Sequence, residues 1–550
     1  MSERRVVLHL LVGLLVVASF AMPGITGQAV PVDRSHGLDA ERFSLLRSNE
    51  PTAASGSAAT TPADRELTEL SEAARLRAGL RTIRADEVHS RGITGEGVRV
   101  GVIGSAFDPS HDAVADGVAA HRNLGRTTAA ADRVHDTAVA EVVTRTAPDS
   151  ELYLAGIGAN PTPEEYADAI DWLLDNDVDV VVDSGSYFPS GDSRTGRISA
   201  AAERASEQGV VFVTSAGNYA DRHWTGEHEG AGWVEFREGA EANALAEGRD
   251  TGGRVSLRLS WTGDADYDLY LYRVSGDRKR VVAKSTIRQS ADGGEPNVES
   301  VDVRLPTGRY YAAIYAHDAG AGGSGGSDDA NRLQLFSARQ PLNYTTPTES
   351  MVAPATSEDV IAVGAYDSKS GLIREYSSRG GGASDADVDV DAPDGYETSV
   401  AGEFRGTSAA APYVAGTAAL MESNGNDLAP ARVERILEET AHAENGVRRL
   451  DSMAAVEAAA GRSTAVRDAG GAAALASENG SAGVDGARET GRSGEPGVDN
   501  GTDGVNTTTG WAGVDRPPEG ADDGSDDNRT AAVASTGARA SSVGAADPVP

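Results

Sequence analysis

Cysteine is absent from all 550 residues, so neither disulfides nor thiolate chemistry contributes to the fold or to a reaction. Lysine is nearly absent, standing only at Lys279, Lys284 and Lys369. Long apolar runs are missing as well, apart from one between Val6 and Phe20. Arg4 and Arg5 precede that run and Gly27-Gln28-Ala29 follows it with small residues, the layout of a secretory signal peptide over residues 1–29. His9 interrupts the run, which is short for a stable span and so reads against a membrane anchor. The arginine pair also admits twin-arginine export. No apolar segment lies near the C-terminal end, so no membrane span is expected after signal removal.

What is abundant is acid. Aspartate and glutamate total 84 against 49 lysines and arginines, a net charge of -35. That field keeps the chain soluble and argues against nucleic-acid binding. The acids are spread through every segment, which suits a protein hydrated in concentrated salt, where screening removes self-repulsion. A GC-rich genome that replaces Lys by Arg explains the few lysines but not the excess of acids. A halophilic source is expected.

Composition divides the chain. Residues 30–80 begin rich in Ser, Ala, Thr and Pro and read as a largely disordered prosegment or spacer, passing at Arg65 into a helical pattern of Leu67, Leu70, Ala74 and Leu76. Residues 461–550 hold almost no large apolar side chains and read as a disordered acidic tail. Asn479, Asn500, Asn506 and Asn528 each open a glycosylation sequon there.

The densest chemical signal is GTSAAAPYVAG, from Gly406 to Gly416. It sets Ser408 at the start of a small-residue helix, where the helix N-terminus favours developing negative charge. An N-capped core helix has the same look, so the reading depends on partners. A hydroxyl nucleophile needs a base and an oxyanion donor. His135 opens HDTAVAEVV, with Ala138, Val139, Val142 and Val143 as an apolar helical face. Asn218 ends VVFVTSAGN, a buried strand running into a small-residue turn with an amide at its tip.

In the order His, Asn, Ser, these segments resemble the subtilisin-like serine proteases over roughly residues 80 to 460, and the acidic composition resembles haloarchaeal members. GITGEGVRVGVI at 92–103, EYSSRG at 375–380 and DVDVDAPDG at 387–395 match further family segments. The resemblance implies an α/β fold with a mainly parallel central sheet flanked by helices, Ser408 as nucleophile, His135 as general base and Asn218 as oxyanion-hole side chain. It implies a peptide or protein substrate and no cofactor for the chemistry. The strand DVVVDSGSY at 179–187 matches the family's substrate-binding edge, where backbone groups of Ser184, Gly185 and Ser186 pair with an extended peptide.

One member of the family pattern is missing. Where relatives read VIDxGxDxxH, this chain reads VIGSAFDPSH, so Gly104 stands at the catalytic Asp position while Asp108 and His111 match the later residues. Losing that acid costs about four orders of magnitude in rate. Asp108 is the first candidate replacement. Asp136 ranks below it because neighbouring helical residues point in different directions. Asp136 and Ala138 also stand where the family usually has Gly and His. Two functions follow: a secreted serine endopeptidase with an unorthodox or absent acid, or a pseudoprotease that keeps the cleft for binding.

Between Asn218 and Ala353 the hydrophobic period changes to two, in Val255, Leu257, Leu259 and Trp261 and again over 267–274, 298–305 and 309–316. Short strands between Gly and Asp turns indicate an antiparallel β-sandwich inserted at 222–345, resembling the pre-peptidase C-terminal modules of secreted peptidases. The catalytic domain is then 81–221 and 346–460. Alternating carboxylates Asp264, Asp266 and Asp268 admit a structural Ca²⁺, or are solvated turn residues.

Overall fold

Valine dominates the strands that build the centre of the molecule. Val100, Val102, Val180, Val182, Val211 and Val213 are all buried, as β-branched residues covered on both faces of a parallel sheet must be. The computed structural model describes residues 74–461 except 127–129, 190–193, 264, 289–295, 319–331, 383–385, 424 and 427. The expected signal segment, the acidic tail and most of the spacer lie outside the described residues.

The central sheet runs in the order Val118–Asn123, Glu151–Gly156, Arg99–Gly104, Val180–Asp183, Val211–Ser215, Ile361–Asp367, Val390–Asp394 and Val447–Arg449, each strand parallel to its neighbour. His442–Glu444 adds an antiparallel edge. On one face the helices Ala130–Thr146 and Thr407–Glu422 pack Val139, Val143, Ala411 and Val414 against Val102, Val182 and Val213. On the other, Pro163–Leu174 and Arg194–Glu207 cover Ile103, Val181 and Phe212 with Ile170, Leu173 and Ala202. Gly416 keeps the first two helices close, since a Cβ there would lie 2.4 Å from Thr146 Cβ. In such a sheet ligands bind beyond the carboxyl ends of the strands. Gly104, Asp183 and Ser215 end three adjacent strands at that edge.

The body extends upstream of residue 81. Helices Ala78–Thr82 and Ala85–His89 bury Leu80, Ile83, Ala85 and Val88 in the same core, and Ile83 accepts the backbone N–H of Ser452 at 2.8 Å.

Strands between His223 and Ser337 form a second sheet, antiparallel throughout, around Trp224, Leu257, Leu259, Trp261, Leu269, Leu271, Ile314 and Leu335. The two runs expected over 298–305 and 309–316 are one 22-residue strand, Asn297–Asp318. Pro306-Thr307-Gly308 looks like a turn in sequence but forms a register shift between Leu305 and Gly308, as Pro can at a bulge. The first half of the strand pairs with Thr251–Trp261 and the second with Asp266–Ser275. Phe336 contacts Tyr219, beside Asn218, with ring centroids 6.2 Å apart.

Candidate active site

The segment around the candidate nucleophile Ser408 is held by hydrogen bonds at Gly406 and at Ser408. Gly406 N–H donates to Asp394 Oδ2 at 2.9 Å and to the Tyr376 hydroxyl at 3.2 Å, while Arg374 Nε reaches Asp394 Oδ1 at 2.5 Å. Asp394 is fully buried, and burial pushes its pKa up against the opposing pull of the Gly406 N–H, Tyr376 and Arg374. Ser408 follows in the first turn of a helix whose residues are buried from Thr407 to Met421. Pro412 has no N–H to give the Ser408 carbonyl four residues back, and Ser184 Oγ donates to that oxygen at 3.4 Å. Ser408 Oγ in turn donates to the Ser184 carbonyl at 3.2 Å.

Asn218 lies across from this helix end. Its Oδ1 accepts the Thr407 backbone N–H at 3.0 Å, which fixes the amide by its acceptor and leaves Nδ2 as the donor. Thr407 Oγ1 also reaches the Gly217 N–H, at 3.2 Å. Asn218 and the Ser408 segment are thereby tied through Thr407.

The substrate-edge residues sit on a buried acid. Asp183 Oδ1 accepts the Gly185 N–H at 2.7 Å and Oδ2 the Tyr166 hydroxyl at 2.8 Å. Burial pushes the Asp183 pKa up to about 6 despite the donors from Gly185, Tyr166 and Tyr187. Ser215 Oγ donates to the Gly185 carbonyl at 3.3 Å, and Tyr187 N–H donates to Ala353 at 3.0 Å. The edge at Ser184, Gly185 and Ser186 is therefore braced from below, a role for Asp183 that its sequence context does not reveal.

His135 lies within the Ala130–Thr146 helix, its side chain one quarter exposed. The Phe404 ring meets it edge-on with centroids 5.4 Å apart. The carboxylate on its Nδ1 belongs to Asp136, whose Oδ1 is 2.7 Å away. Asp136 Oδ2 accepts the Ala106 backbone N–H at 2.9 Å, and the residue is 7% exposed. Asp108 is differently engaged: its Oδ1 accepts from Ser110 Oγ at 2.6 Å and Ser110 N at 3.2 Å, and those donors hold its pKa below the usual carboxylate value. Its backbone N–H donates to Thr137 Oγ1 at 2.8 Å, so it is close to the His helix while its carboxylate closes its own turn. His111 accepts the Ala113 N–H at 3.2 Å.

No described group of three or more His, Cys, Asp or Glu is arranged to hold a metal ion. Asp264 lies outside the described residues. Asp268 accepts from the Tyr270 hydroxyl and from His317 Nε2, each at 2.8 Å, and Asp266 faces Arg288 at 3.8 Å. Hydrogen-bond donors and a cation thus face the two carboxylates, a poorer fit to Ca²⁺ than oxygen ligands would be. No described helix is long and apolar enough to cross a membrane.

The parallel α/β sheet thus carries a helix-borne Ser, an amide and a His–carboxylate pair near its carboxyl edge. The subtilase family model matches residues 95–246 and 260–487, and the chain belongs to that family and so to the serine-type endopeptidases. Among solved structures, the CspB protease of Clostridium perfringens is 18% identical over 70% of this chain and 99% of its own, with a TM-score of 0.51. The nisin leader peptidase NisP from Lactococcus lactis is 15% identical over 70% of this chain and 93% of its own, with a TM-score of 0.39. The CspB likeness shows the fold. No curated protein matches by sequence.

Proposed function

We propose that this chain is a secreted serine endopeptidase of a salt-requiring source, with Ser408 as nucleophile, His135 as base and Asn218 as oxyanion donor. The observation that carries this reading is the Asn218 amide, its oxygen held by the N–H of Thr407, the residue before Ser408, which leaves Nδ2 as a donor. Ser408 Oγ attacks the scissile carbonyl carbon as His135 takes its proton. The oxyanion rests on Asn218 Nδ2 and the Ser408 N–H. Collapse releases the amine with the proton from His135, leaving an acyl-Ser408 that water, deprotonated by the same imidazole, hydrolyses. An extended peptide pairs with backbone groups of Ser184, Gly185 and Ser186.

The antiparallel unit at 222–345 is read as an inserted domain, supported by its own apolar cluster. Secretion rests on the residues 1–29 layout and salt dependence on the net charge of -35. Gly104 favours the second reading, a non-catalytic binding protein with the same cleft.

A fluorophosphonate probe in molar salt separates the two. Labelling of the wild type is expected, with a loss on the order of 10⁶ in peptide turnover for Ser408→Ala. A folded wild type that neither labels nor cleaves casein decides for the binding protein.

A further inference from the structure

Position 104 and position 136 compete for one volume. A Cβ built on Gly104 would lie 2.7 Å from Asp136 Cγ, 2.8 Å from its Cβ and 2.9 Å from its Oδ2. These are separations that non-bonded carbons do not adopt. The place that a strand-end side chain would fill is occupied by the carboxylate reaching in from the His helix. Glycine at 104 is therefore the condition for Asp136 to be where it is.

We propose that Asp136 replaces the family's strand-end acid, orienting His135 from the adjacent position on its own helix. The proposal rests on the endopeptidase reading and names the group that completes it. With Oδ1 on His135 Nδ1 at 2.7 Å, the imidazole carries its proton on Nδ1 and presents Nε2 as the acceptor for the Ser408 proton. The second oxygen is pinned by the Ala106 N–H, so the carboxylate keeps its aim while the base cycles. Burial of Asp136 to 7% exposure and the Phe404 contact with the ring leave the pair partly desolvated, which strengthens its attraction to the imidazolium formed in the transition state. Asp136 acts through His135 and is a positioning residue.

The exchange is reciprocal, and that makes it testable. Asp136→Asn should slow fluorophosphonate labelling and peptide turnover by about 10³ to 10⁴ at neutral pH, in kcat rather than KM. The inflection of the pH–rate profile should also move to lower pH, because an imidazolium that loses an adjacent carboxylate gives up its proton more easily. A packing role for Asp136 would not move that inflection. Gly104→Asp alone should gain nothing, since the new side chain meets Asp136. The double variant Gly104→Asp with Asp136→Gly moves the carboxylate back to the strand end and should recover activity to within about tenfold of wild type.

If Asp136→Asn is poorly folded, the double variant decides: recovery supports the exchange and an inactive folded double variant overturns it. Wild-type rates and an unmoved inflection in Asp136→Asn also overturn it, leaving the endopeptidase reading intact. A wild type that does not label overturns the endopeptidase reading itself.

Discussion

The two halves of the site have been treated differently by this sequence. The Ser half carries the segments that most specifically resemble the family, GTSAAAP at 406–412 and the amide at Asn218. The base half departs at Gly104, Asp136 and Ala138, yet a carboxylate still lies 2.7 Å from His135 Nδ1. The proposed oxyanion hole needs a side-chain amide and a backbone N–H aimed at one point and has few equivalent constructions. An acid has only to bring one oxygen to one nitrogen, and more than one point on the chain can do so.

The comparison breaks first at Asn218. If the nucleophile half is conventional, Asn218→Ala should lower kcat by about 10² to 10³ with KM little changed, because the lost donor acts only on the developing oxyanion. Steady-state turnover of a peptide substrate in molar salt measures the split. An equal rise in KM would place Asn218 in ground-state binding instead.

The base half depends on a buried support. Glu141, six residues along the helix from His135, is fully buried and accepts Ser399 N and Oγ at 2.7 Å and Val400 N at 2.9 Å, with Arg145 as its ion-pair partner. It thereby clamps the hairpin that ends at Phe404, the residue against the His135 ring. Glu141→Ala strands those donors and should cost about 3 kcal/mol in denaturant-induced unfolding. Glu141→Gln, which keeps an acceptor, should cost less. Equal stability of both variants with the wild type would make the hairpin self-supporting.

Buried acids on and beside the strands of the central sheet give the fold a pH signature. Burial pushes Asp183 to about 6, Asp391 to about 6 and Asp389 to about 7. The Ala362 and Arg448 backbone N–H groups pull against burial at Asp389 and Asp391 respectively, while Glu434 and Glu438 add to it at Asp389. All three values lie above the ordinary carboxylate value, so the folded chain binds more protons than the unfolded one from about pH 4 to about pH 7. Their contribution to stability is largest at the acid end of that window and is lost as pH rises through it. Asp108 and Asp367, whose values are lowered, act in the opposite sense below the window. Melting temperatures at fixed salt should show the fall, and Asp389→Asn should flatten its upper part.

Much of the fold is legible in the sequence, and the candidate Ser, His and amide can be picked out there. The parallel sheet is implied by the resemblance to the subtilisin-like proteases, period two announces the antiparallel strands, and Ser408, His135 and Asn218 stand out by local pattern. What stays hidden has physical reasons. The 22-residue strand crosses Pro306 at a register shift, where a proline is tolerated without ending the strand. Asp183 reads as one more strand residue until Tyr166 and Gly185 are brought to it. Asp136 ranks below Asp108 in sequence because adjacent helical residues ordinarily do not face each other. Only the empty space over Gly104, invisible in sequence, lets its carboxylate turn back to His135.

The smallest expected effect is the most discriminating. Asp108 matches the family pattern in sequence and lies beside the His helix, so it is the natural rival to Asp136. Its carboxylate, however, is engaged by Ser110 in an Asx-type turn, and only its backbone N–H touches the helix, at Thr137. Asp108→Asn keeps an acceptor for that turn and leaves His135 Nδ1 with its partner. Peptide turnover should therefore stay within about twofold of wild type, the range of a surface change away from the chemistry, with the pH–rate inflection unmoved. A fall of about 10³ or more, the scale of losing a triad acid, would make Asp108 the acid that acts on His135 during turnover. The base half would then have been rebuilt through the loop after the strand rather than along the helix.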